Sequence, residues 1–229
     1  IKANGYSVQI TSGYSGSRLG GVAGENLGSI YGGQDKKGNI KYIYSHIYVN
    51  DNNGITGWLG GVTGINSGTI KNVYCASHIN GENGSEGGFG GIAGENRAII
   101  TNCDFSGMVS AKGSVADIVS VGGIAGKNAS DGEITKCTIA NSNDTTITTT
   151  GNNTCSYIGG VAGRNDGKIS EIFCNTSMPD NNNSKDTGYT KHTVNISASM
   201  ANIGGMVGYQ TASGSLNNCI NNDKWSVSA

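Results

Sequence analysis

Histidine, cysteine and acidic residues are the side chains of this chain best suited to chemistry, and their spacing argues against catalysis. The histidines are His46, His78 and His192. None stands in an HExxH arrangement, which would set two zinc ligands and a glutamate base on one helix face. No GxSxG elbow presents a serine nucleophile. The 16 acidic residues are scattered along the chain, whereas glycoside hydrolysis needs two carboxylates at one bond. Glu25, Glu95, Asp131 and Asp166 fall at turn-like positions, and Glu82 and Glu86 share a glycine-rich stretch. All six are expected to be solvated. The run Gly20-Gly-Val-Ala-Gly-Glu-Asn26 lacks the Gly-Lys-Ser/Thr ending of a phosphate loop. It also misses the calcium nonapeptide by one residue of spacing and by Asn in place of Asp. The expectation is a chain without catalytic residues, metal ligands or cofactors, and not an enzyme.

Composition narrows the partners. Charged residues make up 14% and the net charge is −1, so neither a basic field for nucleic acid nor an acidic tail is present. No apolar stretch approaches membrane-spanning length, and direct membrane insertion is not expected. Residue 1 is Ile and no signal-like segment follows, which points to a piece of a longer, exported chain. With 35% hydrophobic residues, 39 glycines and one proline, the chain suits a repetitive fold with a thin core, in which each repeat covers its neighbours.

One block recurs six times: Leu19-Gly-Gly-Val-Ala-Gly-Glu-Asn26, Leu59-Gly-Gly-Val-Thr-Gly-Ile-Asn66, Phe89-Gly-Gly-Ile-Ala-Gly-Glu-Asn96, Val121-Gly-Gly-Ile-Ala-Gly-Lys-Asn128, Ile158-Gly-Gly-Val-Ala-Gly-Arg-Asn165 and Ile203-Gly-Gly-Met-Val-Gly-Tyr-Gln210. The repeats start near residues 19, 59, 89, 121, 158 and 203, with periods of 40, 30, 32, 37 and 45 residues. The block Asn is expected to turn the chain, through αL geometry and a side-chain bond to its own backbone. A second block follows, Gly38-Asn-Ile-Lys-Tyr-Ile-Tyr-Ser45 in repeat one and Gly68-Thr-Ile-Lys-Asn-Val-Tyr-Cys75 in repeat two. On that alignment residues 31–37 are an inserted loop. The second block alternates as a half-buried strand does. A third strand is expected at 109–111, 146–150 and 193–198. Three short strands per coil predict a right-handed parallel β-helix, all-β, of about six coils, forming a single domain over residues 1–229.

The block Gly-Gly-aliphatic-Ala-Gly-X-Asn resembles the GLUG motif, over roughly residues 18–221. That motif recurs in large bacterial surface proteins, including adhesin-like proteins and the non-catalytic regions of immunoglobulin A metallopeptidases. The resemblance implies surface display and solenoid folding, without implying one ligand. Repeat six departs from the pattern at Met206, Val207 and Gln210.

Six cysteines in an exported chain raise the question of disulfides. Repeat alignment sets Val73, Cys103, Cys137, Ile172 and Cys219 in one column, and Cys75, Phe105, Ile139, Cys174 and Asn221 in another. Interchange with Val, Ile and Phe is the behaviour of a small buried hydrophobe, so free core thiols are expected. Cys103 with Cys137 is the alternative pair, at an expected Cα separation of roughly 4.8 Å. Cys155 fits neither column.

Outward alternation gathers aromatics at the N-terminal end: Tyr42, Tyr44, His46 and Tyr48 in coil one, Tyr74 and His78 in coil two. Tyr44 is expected on Tyr74, Tyr48 on His78 and Lys41 on Lys71. Tyr rings with flanking Lys41 and Lys71 can hold protein or sugar; the same row could instead be a ladder that only stiffens the sheet. Trp58, placed in a loop before repeat two, is either a core plug or a contact residue. The long loops at 141–153 and 180–191 are further contact candidates. The functional expectation is a monomeric, non-catalytic binding or adhesion module on the bacterial surface or secreted, contacting a host glycoprotein, glycan or immunoglobulin. The alternatives are a spacer or substrate-orienting region of an immunoglobulin A metallopeptidase, and a carbohydrate-active β-helix.

Overall fold

The glycine-rich block folds as two strands with a bend between them, and its second glycine sits in the bend. An added Cβ at Gly91 would run into the Gly123 carbonyl and the Phe105 ring, so no side chain fits there. A computed structural model of the chain describes residues 2–10, 17–33, 43–51, 57–83, 87–113, 118–139, 146–151, 155–174, 191–195, 201–221 and 224–228. All regular elements among them are strands. Coil two shows the plan: Gly57–Gly60, Thr63–Asn66, Thr69–Lys71, Val73–Cys75 and His78–Asn83. Each strand pairs in parallel with its equivalents in the coils before and after.

Three sheets of six strands result, from Ser17–Gly20 to Ala201–Gly204, from Ala23–Asn26 to Val207–Gln210 and from Ser29–Tyr31 to Ser215–Asn217. The remaining walls join in one ten-stranded sheet, apart from Lys191–Asn195 and Lys224–Ser228, which pair with each other. The long strand Ile43–Asp51 links them: its start pairs with Val73–Cys75 and its end with His78–Asn83. Lys2–Ile10 pairs with Ile43–Asp51 as well. The sheets are open, and the architecture is the expected parallel β-solenoid of six coils. Each full coil carries five short strands where three were expected, because both blocks bend in their middle.

The second bend is made by a left-handed column that the residue types do not announce: Asn72, Asn102, Lys136, Glu171 and Asn218, at φ of 50° to 55°. The turn was expected at the block Asn instead. Those asparagines lie extended in the second sheet, buried, and bond to one another along the rod. Asn26 Nδ2 donates to Asn66 Oδ1, Asn66 to Asn96, Asn96 to Asn128 and Asn128 to Asn165, each at 2.8 Å. Gln210 continues the ladder at 3.5 Å. Their Oδ1 atoms also accept the backbone N–H two residues on, as at Gly28, Gly68 and Gly167, so the expected local bond is present without the αL geometry.

Register corrects the alignment of repeat one. Ser29–Tyr31 pairs with Thr69–Lys71, and Ile43 pairs with Val73. The second block of repeat one is therefore split, and its insertion falls between Gly33 and Ile43. Tyr31, assigned above to the loop, is a strand residue and the ladder neighbour of Lys71, where Lys41 was expected. Trp58 is likewise in a strand, Gly57–Gly60.

Inside, the predicted columns hold. Val73, Cys103, Cys137 and Ile172 are fully buried, as are Phe105 and Ile139 in the neighbouring column. Cys75, Cys103, Cys137, Cys174 and Cys219 are free thiols; the Cys155 side chain lies outside the described residues. Burial pushes the Cys75 thiol up to about 11 and raises Cys137 as well, since a thiolate there would lose its hydration.

Candidate functional site

Of the expected contact residues, Tyr42 and Lys41 lie outside the described residues, as do the side chains of Tyr44, His46 and Tyr48. The backbone pairs Tyr44 with Tyr74 and Tyr48 with His78, the register expected. Tyr74 and His78 are both half-buried. The row does not continue as aromatic: Asp104 follows Tyr74, and Met108 follows His78. Burial raises the Asp104 carboxyl above its ordinary range, and a hydrogen bond with the Thr138 side chain partly offsets this.

Lys71 stands in a different setting. It lines a surface groove of about 560 Å³ together with Tyr31, Gly32, Gly33, Asn72, Thr101, Asn102 and Lys136. Strand ends and the left-handed bend build it. The end residues of the third sheet, Tyr31, Lys71 and Thr101, stack in register. Beside them run Asn72, Asn102 and Lys136, which the positive φ turns out of the strand path. The floor is fixed by amides: Asn72 Nδ2 donates to Gly32 O at 3.0 Å, and Asn102 Nδ2 to Asn72 Oδ1 at 2.6 Å. Above it, Tyr31 is 64% exposed, and Lys71 and Lys136 are exposed too. Neither lysine has an ion-pair partner among the described residues. No acidic side chain lines the groove among those residues; Glu171, one coil beyond Lys136, is the nearest in its column. An aromatic face, two cations, a hydroxyl and amide groups suit a polar ligand bearing negative charge.

A second wall was not expected. The variable residues of the blocks meet charged and aromatic side chains of the first sheet, of their own coil and of neighbouring coils. Arg18 pairs with Glu25 there. Trp58 lies beside Gly88, where an added Cβ would stand 2.7 Å from its ring, and Lys127 Nζ sits 5.7 Å from the Trp58 ring centre. Glu95 is 3% exposed; it accepts from Arg97 Nε at 2.7 Å and meets Lys127 Nζ at 3.3 Å. Tyr157 stacks on Tyr209 at 4.7 Å, and Arg164, bonded to Asp166 at 2.9 Å, lies 6.0 Å from the Tyr209 ring. Glu25 and Glu95 are thus strand residues in ion pairs and Asp166 is held by Arg164, whereas Asp131 is the solvated turn residue expected; Glu86 and the Glu82 side chain lie outside the described residues. The signal available beforehand was the block's penultimate column of Glu, Ile, Glu, Lys, Arg and Tyr.

Among the described residues, no three His, Cys, Asp or Glu side chains gather as a metal site, and no helix is long and apolar enough to cross a membrane. No protein-family model, curated protein or solved structure matches the chain.

Proposed function

We propose that this chain is a non-catalytic binding module, displayed on a bacterial surface or secreted, that holds a host glycoprotein or immunoglobulin against the side of its rod. The observation that carries this reading is the groove: strand register sets the backbones of Tyr31, Lys71 and Thr101 in one row, with Lys136 beside it at the left-handed bend. A preset surface of this kind lowers the ordering cost of binding. The resemblance of the repeated block to the GLUG motif of surface proteins agrees with it. Biosensor measurements on immobilised serum glycoproteins and immunoglobulins test the reading. Saturable capture is expected; absence of capture from both classes at tens of micromolar protein would discard it.

A spacer role beside a metallopeptidase domain has one observation in its favour. The asparagine ladder runs through every coil and makes a stiff rod without needing a ligand. Solution scattering at raised temperature, read beside the capture measurement, separates the roles: a rigid rod that captures nothing is a spacer.

A further inference from the structure

We infer that the groove between Tyr31 and Lys136 binds an acidic oligosaccharide, one whose rings carry carboxylate or sulfate, lying along the rod axis. The inference rests on reading the chain as a binding module and names the ligand class of its groove.

Direction comes from the stacking. The lining residues rise through coils one to four in the order Tyr31, Lys71, Thr101 and Asn102, Lys136. Lys71 and Lys136 belong to the second and fourth coils, so their backbones stand roughly 10 Å apart along the axis, twice the spacing of neighbouring strands. That step is comparable to a disaccharide unit, which would offer one acidic group to each lysine. Between them stand Asn102 and Thr101, whose hydroxyl is bonded to that of Thr135 at 3.1 Å, at the level of the sugar hydroxyls. Asn102 keeps its Oδ1 for a donor, since its Nδ2 is held by Asn72 at 2.6 Å. Tyr31, 64% exposed at the groove's end, offers a face for the apolar side of one ring. Glu171 follows Lys136 in the left-handed column, and its charge ends the stretch that an anion can occupy.

Charge selects among polyanions. A nucleic acid binds through many phosphate contacts at once, and two lysines on a chain of net charge −1 do not supply them. Sugar acids at disaccharide intervals need only these two.

The test is calorimetric titration of the full chain with a heparin-derived hexasaccharide, a hyaluronan hexasaccharide, neutral maltohexaose, inorganic sulfate and a single-stranded oligonucleotide. Binding is expected for one or both acidic hexasaccharides, weakening as salt rises, and not for the other three. Lys71→Ala, Lys136→Ala and Tyr31→Ala should each weaken it roughly tenfold, and Glu171→Gln should strengthen it. All four positions are exposed at the surface, and unchanged circular dichroism confirms folding. Failure of both acidic hexasaccharides to bind at millimolar concentration overturns the inference. So does equal binding of maltohexaose or the oligonucleotide, or unchanged affinity in the Lys71→Ala/Lys136→Ala double variant. Protein capture by the unsubstituted chain, read beside the titrations, separates the two claims. In the unsubstituted chain, capture that occurs while the acidic sugars fail leaves the binding module and removes this ligand; sugar binding without any protein capture keeps this ligand and removes the protein partner.

Discussion

Two walls of this rod carry charged and aromatic side chains, and they differ in where those charges find partners. At the corner between the first two sheets, Glu95 is enclosed by Arg97 and Lys127, Lys127 also covers Trp58, and Tyr157 stacks on Tyr209. At the left-handed bend, Lys71 and Lys136 are exposed without an ion-pair partner among the described residues. Both walls come from the same stacking of equivalent residues. At the corner, side chains of adjoining strands and coils meet and neutralise each other; at the left-handed bend the two lysines face solvent and remain available. Charge on a solenoid is therefore not by itself a sign of binding, and geometry at the bend separates the two cases.

Substitutions can break that contrast, the most damaging ones by removing the frame both walls share. Gly91→Val places side-chain atoms where the Phe105 ring lies, and should cost about 3 kcal/mol or more in urea unfolding. Asn96→Ala interrupts the ladder between Asn66 and Asn128 and leaves a buried amide donor and acceptor without their partners, at about 2 kcal/mol. An undiminished melting temperature in this variant would show that the ladder does not hold the coils.

The corner wall alone is tested by Glu95→Ala. The partners it strands, Arg97 and Lys127, are partly exposed, so about 1.5 kcal/mol is expected, below the value for a fully buried pair. A loss near zero would make the two walls alike. Asp104 gives a pH reading. Its carboxyl is raised by burial, so the folded state favours the protonated form; stability falls as pH rises from the ordinary carboxylate value through the raised one. Asp104→Asn should therefore melt higher than the parent at pH 7, with the gap closing in acid below the carboxylate range. The smallest effect belongs to the groove: Lys71→Ala and Lys136→Ala should each change stability by under about 0.5 kcal/mol. A larger loss would mean that these lysines, too, serve the fold.

Much of the architecture was legible in residue types. Val73, Cys103, Cys137 and Ile172 interchange because they fill one buried column, and the same comparison set Tyr44 on Tyr74 and Tyr48 on His78. The groove proposed to bind was legible only at Lys71. Matching Gly38-Asn-Ile-Lys to Gly68-Thr-Ile-Lys is locally the better alignment, and it hid the split that makes Tyr31 the neighbour of Lys71. The corner pairs escaped because most join residues of different coils, such as Trp58 with Lys127 and Tyr157 with Tyr209, at separations with no periodic signal, and a charged column next to an Asn looks like a turn.

The amino-acid sequence by itself determined that six similar units stack, since repeated glycines and aliphatics can bury their faces only against one another. It also determined which residues share a column. Tertiary structure alone decided which columns face a partner and which face solvent. That choice depends on the sign of φ along the column of Asn72, Asn102 and Lys136 and on which side chains the stacked coils bring together, and neither is written in the type of any single residue.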